Sequence, residues 1–140
     1  MKKLILIASM LILIATMGTG MVTEQADTRS RLDIAIDSIV DSVHVDVVRA
    51  IIEVESKGDT LAVSPTGDYG IMQVNKAVWH GKYDFSRMNE LHYGLSAGYD
   101  IYVACLDSSN GNEMLALKKY NGSWAYAKKV KKVMDEQRKA

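Results

Sequence analysis

From Leu32 onward, apolar residues recur at positions 32, 36, 39, 40 and 43, the spacing of a helix that buries one face. Asp33, Asp37 and Asp41 fall four apart on another face and read as a solvated stripe rather than a metal site. Asp46 then reads as the N-cap of a second helix over 47–56, ended by Gly58. The stretch 61–75 holds the only proline, Pro65, and two glycines. It predicts a turn at Ser64-Pro65-Thr66-Gly67 and an extended piece from Tyr69. Asn75 is placed to cap a short helix through Trp79. Apolar positions 91, 95, 99, 102 and 106 mark a third long helix, which contains Cys105. Asn110-Gly111-Asn112 reads as a turn, 113–119 as a helix stopped by Asn121-Gly122, and Ser123 as the cap of a last basic helix. The pattern is mostly helical, with a small irregular β element between the second and third helices.

The first residues have a different character. Met1-Lys2-Lys3 precedes a 14-residue apolar stretch, 4–17, and then Gly18-Thr19-Gly20, the form of a secretory signal. The uncharged run reaches Thr23, 20 residues from Leu4, which is also about the minimum for a membrane-spanning helix. Residues 1–22 are therefore expected to be a signal peptide or a signal anchor, 23–31 a linker and 32–140 the folded domain. Export to the periplasm or cell envelope follows, and membrane association through 4–23 is the alternative to cleavage.

Charge sharpens the picture only when it is mapped. The chain has 17 basic and 17 acidic residues, so whole-chain charge gives no case for nucleic acid. Residues 118–140 nevertheless hold 8 bases and 2 acids, while 21–117 hold 7 bases and 15 acids. One cysteine excludes an intrachain disulfide, so packing must hold the domain together. His44, His80 and His92 show no zinc-ligand spacing, and 107–118 lacks the closing Glu of a calcium loop. No phosphate-binding glycine motif is present.

Glu55 is the most informative residue. On a wheel of about 100° per residue, Val48, Ile51 and Ile52 lie at about +20°, −40° and +60° from it, whereas Glu53 lies at about 160°, one turn from Arg49. Glu53 is thus an ordinary surface acid, and Glu55 projects from the apolar stripe. A carboxyl beside apolar side chains resists ionising, which suits it to donate a proton. A boundary Glu bonded to a core partner is the competing reading. Asp68 follows thirteen residues later on a polar turn. A neutral carboxyl plus an ionised one is what cleavage of a glycosidic bond requires, although a turn residue capping its own backbone would look the same.

Three segments then occur in order: Ile52-Glu53-Val54-Glu55-Ser56, Ser64-Pro65-Thr66-Gly67-Asp68-Tyr69-Gly70-Ile71-Met72-Gln73-Val74-Asn75, and Ala116-Leu117-Lys118-Lys119-Tyr120-Asn121-Gly122. Together they resemble the soluble lytic transglycosylase domain of the lysozyme superfamily, over a motif core of 46–130. The resemblance implies a mainly α, lysozyme-like α+β fold with a small irregular β element beside a groove for peptidoglycan glycan strands. It makes Glu55 the catalytic acid/base, with Ser64 and Gln73 near the scissile bond. Tyr120, Asn121 and Tyr126 become the wall beside Glu55, and no metal or organic cofactor is implied. Tyr69, Asn75 and Trp79 join the expected substrate contacts, the aromatics by sugar stacking.

Two departures from the family pattern matter. Many members have Ala where this chain has Asp68, and the stretch 68–75 looks like that of animal-type lysozymes and of small transglycosylases from secretion and conjugation systems. The last motif reads Tyr-Asn-Gly-Ser, without the usual Ala between Asn and Gly. The expected activity is that of a lytic transglycosylase, cleaving between N-acetylmuramic acid and N-acetylglucosamine with closure of a 1,6-anhydro ring. The alternatives are a muramidase that uses Asp68 as second carboxylate, as a phage endolysin would, and a non-catalytic peptidoglycan-binding module. Wall remodelling, service to a secretion or conjugation apparatus, and phage lysis are equally open as settings.

Overall fold

The first helix is set by a reciprocal cap at its start. The computed structural model describes residues 29–140. In it Ser30 Oγ accepts the Asp33 N–H at 3.1 Å, and the Asp33 carboxylate accepts the Ser30 N–H at 3.2 Å. Helix α1 spans Arg31–Ile39. The expected export segment, residues 1–22, and most of the linker lie outside the described residues.

The predicted continuation of α1 to Val43 does not form. Val40 takes an extended conformation and buries its side chain. The hydroxyl of buried Tyr99 accepts the Asp41 N–H at 3.2 Å and lies 2.8 Å from His44 Nδ1. This tyrosine draws the chain out of the helix into a 3-10 turn, Ser42–His44, which leaves Val43 81% exposed. The apolar spacing at 43 was therefore no part of a buried face. The turn runs directly into α2, Val45–Glu55. Asp46 is not its cap: His44 already has helical backbone geometry, and Asp46 sits in the first turn, 2.7 Å from Arg138 at the far end of the chain. Arg49 pairs with Asp33 rather than Glu53, and Asp37 pairs with Arg29.

Helix α2 ends where Lys57 (φ 54°) and Gly58 (φ 84°) enter the left-handed region. Ser56 Oγ donates to the Ile71 carbonyl at 2.7 Å and so ties this end of the helix to the β element. That element is the antiparallel pair β1, Asp68–Tyr69, and β2, Val74–Asn75, with Asp68 opposite Asn75. The predicted turn precedes it, closed by the Gly67 N–H on the Ser64 carbonyl at 3.0 Å. Asn75 caps α3, Lys76–Trp79, through the Val78 N–H at 3.2 Å. Then come α4, Leu91–Asp107, α5, Glu113–Asn121, and α6, Trp124–Gln137. Asn112 and Ser123 cap α5 and α6, and left-handed Gly122 (φ 95°) stops α5. Among the described residues the fold is mainly α with one two-stranded sheet, the lysozyme-like class that the motifs imply.

The core follows from these faces. Val47, Val48 and Ile51 of α2 meet Leu95 and Tyr102 of α4, Leu117 of α5 and Val130 and Met134 of α6, all at most 2% exposed. A second cluster, Val74, Met88, Ala97 and Ile101, seats the β element on α4. That seating is tight at Gly98, where an added Cβ would stand 2.4 Å from the Met72 Cβ. Alanine normally gains about 1 kcal/mol over glycine in a helix, while overpacking costs about 1–3 kcal/mol. Gly98→Ala is therefore expected to lower stability by about 1–2 kcal/mol in urea unfolding, against helix propensity; an unchanged or higher midpoint would contradict this packing.

Candidate active site

Glu55 is the last residue of α2, and its side chain is half-buried while Glu53 is exposed. Two tyrosines stand beside it. Tyr120, at the end of α5, donates its hydroxyl to the Met72 carbonyl at 2.8 Å, which joins α5 to the β element. Tyr126, on α6, stacks on Tyr120 with ring centres 6.3 Å apart and planes 18° from parallel. The Tyr126 hydroxyl is buried and makes no formed hydrogen bond among the described residues. It faces the Glu55 carboxyl closely enough to favour that group's ionised form, but short of bonding geometry.

Burial dominates at Glu55. Desolvation pushes its carboxyl from the ordinary 4.5 up to about 7; Tyr126 pulls down, the Asp68 charge pushes up, and Lys129 pulls down. Asp68 behaves oppositely. Its partial burial would raise its pKa, but Ser64, Thr66 and Asn75 together hold it below the usual range. Ser64 Oγ and Thr66 Oγ1 donate to one carboxylate oxygen at 2.5 and 2.6 Å, and Asn75 Nδ2 donates to the other at 2.7 Å. Near neutral pH, one carboxyl is substantially protonated and the other is ionised, a division of the kind acid/base chemistry uses.

Both carboxyls line one cavity of about 420 Å³. The β element adds Gln73 and Asn75, and α3 adds Val78 and Trp79. Helix α4 contributes Ile101 and Cys105, and the end of α5 contributes Lys119, Tyr120, Asn121 and Gly122. Gln73 is held with φ 52°, its amide nitrogen donating to the Ala62 and Gly70 carbonyls at 3.0 Å each, so its side-chain oxygen stays available as an acceptor. Of the ten residues singled out in the sequence, the structure brings seven to this cavity: Glu55, Asp68, Gln73, Asn75, Trp79, Tyr120 and Asn121.

Three do not line it. Ser64 bonds to Asp68, and Tyr126 packs in the core against Tyr120 with its hydroxyl facing Glu55, beside which the sequence reading placed it. Tyr69 follows Asp68 on β1, so strand alternation turns it to the opposite face. There it meets Phe85 edge-on at 5.6 Å and lines a separate hollow with Leu61 and Val63. The sequence reading missed Thr66, Val78, Ile101, Cys105 and Lys119. Thr66 had a signal, two residues before Asp68 in a turn; Ile101 and Cys105 had only their i, i+4 relation on α4. Among the described residues no group of three or more His, Cys, Asp or Glu could hold a metal ion.

The family model of the Transglycosylase SLT domain matches residues 38–140, and the chain belongs to that family. Comparison with curated proteins and with solved structures gives no significant match. Membership supports a lytic transglycosylase-type action on peptidoglycan at the level of the family.

The Glu55 shift has a consequence for stability. Its folded pKa lies above its unfolded value, so the folded state binds the proton more tightly. The stability tied to that proton is fully present below about pH 4.5 and is lost as pH rises through about 7. Glu55→Gln removes the penalty of burying a charge. The variant should match the parent near pH 4 and exceed it by about 2–3 kcal/mol at pH 8.5. Equal stability of the two at both pH values, measured by urea unfolding, would refute the burial account.

Proposed function

We propose that this chain is a lytic transglycosylase that cleaves the β-1,4 bond between N-acetylmuramic acid and N-acetylglucosamine in peptidoglycan. Protonated Glu55 gives its proton to the bridging oxygen as the bond to the muramyl C1 breaks. The sugar's acetamido oxygen stabilises the cation, helped by the fixed negative charge of Asp68. Glu55, now a carboxylate, takes the proton from the C6 hydroxyl, and that oxygen closes on C1 to form the 1,6-anhydro ring. No water is consumed, and Glu55 ends protonated as it began.

The observation that carries this reading is the contrast in how the two carboxyls are held. Glu55 is half-buried and faced only by the Tyr126 hydroxyl, short of bonding geometry, so it is free to exchange a proton, while both oxygens of Asp68 are occupied by Ser64, Thr66 and Asn75. A carboxylate so engaged is a better fixed charge than a nucleophile. The muramidase reading keeps one supporting observation: Asp68 is ionised and lines the same cavity. The N-terminal sequence supports export, and the site of action in this proposal is the cell envelope.

Mass spectrometry of fragments released from purified peptidoglycan separates the two. Products lighter by one water and ending in 1,6-anhydro sugar are expected, with release reduced at least a hundredfold in Glu55→Gln. Reducing-end products would make the chain a hydrolase. Asp68→Ala is expected to lower kcat about tenfold through loss of one fixed charge and the turn it organises; a loss comparable to that of Glu55→Gln in a folded variant would move the mechanism to two carboxylates. Activity should fall as pH rises past about 7, since the acid form of Glu55 starts the reaction.

A further inference from the structure

The glycan cavity contains two carboxyls and, among its described lining residues, a single cation: Lys119. This residue was not singled out by motif. Its ammonium is not free to wander. It donates to the Ser108 carbonyl at 2.6 Å and lies 3.1 Å from the Ser108 hydroxyl, bridging the end of α4 to α5. No carboxylate of the described chain stands within ion-pair distance of it, whereas Lys131, Lys132, Arg49, Arg87 and Arg138 each have one. An ammonium has three N–H donors, and two are directed at Ser108. The third remains, on an exposed side chain at the wall next to Tyr120. Its charge reaches into the cavity, where it favours the thiolate form of Cys105 against the effect of burial.

The charges of the cavity as a whole roughly balance, but the exposed Lys119 ammonium stands at its wall and can pair locally with a negative group carried on a side branch of the glycan. We propose that Lys119 is a specificity-determining residue, which pairs with a carboxylate borne on the lactyl branch of the muramyl sugar. This rests on the peptidoglycan reading above and names the strands that it favours. Two sources supply the same chemistry: the lactyl carboxylate itself on strands stripped of peptide, and the carboxylates of an attached stem peptide. Pairing with an already anchored ammonium costs little side-chain ordering. A charge-assisted hydrogen bond of this kind corresponds to roughly ten- to a hundredfold in affinity.

The test uses Glu55→Gln, so that ligand is bound and not consumed, with and without Lys119→Met, measured by calorimetry. Three ligands of equal length are compared: a neutral chito-oligosaccharide, a peptide-free muramyl glycan with its lactyl carboxylate, and the same glycan bearing stem peptides. Lys119→Met is expected to weaken one or both acidic glycans at least tenfold more than the neutral one. Lys119→Arg should restore the preference, and 0.5 M salt should erode it. Greater loss on the peptide-free strand assigns the lactyl carboxylate, and loss confined to the peptide-bearing strand assigns the stem. Equal weakening of all three ligands would reduce Lys119 to the α4–α5 clip and overturn the proposal, as would no weakening of any. Failure of all three to bind the Glu55→Gln parent would overturn the glycan reading itself, and this proposal with it.

Discussion

Burying a single carboxyl at the end of a helix is the constraint around which this domain is arranged. A Glu at the C-terminus of α2 would ordinarily extend into water and ionise. Here the packing of α2 on α6 brings Tyr126 over it, and the stack of Tyr126 on Tyr120 closes the side towards α5. Two hydrogen bonds then hold the β element against this corner, from Ser56 to the Ile71 carbonyl and from Tyr120 to the Met72 carbonyl. The residues that receive them, Ile71 and Met72, are buried, so the loop between the strands is anchored by apolar contact as well. Desolvation raises the Glu55 pKa because three elements converge there, and no one neighbour accounts for it.

The β element does two unlike jobs through strand alternation. Its Asp68 face holds an ionised carboxylate in a net of three donors, and its Tyr69 face packs on Phe85. A strand of two residues could not keep that orientation alone. Asn75 supplies the missing rigidity, since its amide nitrogen binds Asp68 while its oxygen caps α3. One side chain thus fixes the charge in the cavity and the helix that brings Val78 and Trp79 to its edge. The same economy has a cost in stability, because an acid kept out of water destabilises the fold whenever it ionises.

Much of this was legible in the chain, for physical reasons that differ by element. The caps at Asn75 and Ser123 could be read because short polar side chains before apolar-periodic runs satisfy free helix N–H groups locally. Glu55 could be separated from Glu53 because a helix wheel needs only spacing. Asp46 and Val43 misled because a distant residue, Tyr99, decides where α1 stops, and local pattern carries no record of it. Tyr69 was grouped with the cavity as an aromatic suited to sugar stacking, while the alternation of β1 turns it away. Lys119 was hidden in a basic stretch, and only the junction of α4 with α5 shows that its ammonium meets Ser108 at the cavity.

The proposed chemistry requires the Glu55 carboxyl to hold its proton near neutrality, and this can be observed without substrate. A carbon-detected NMR titration of the Glu55 side-chain carboxyl, assigned by its loss in Glu55→Gln, measures it directly. The expected midpoint is about 7, with the Asp68 carboxyl titrating below the usual range. A Glu55 midpoint near 4.5 would show a solvated surface acid and would contradict the arrangement described here.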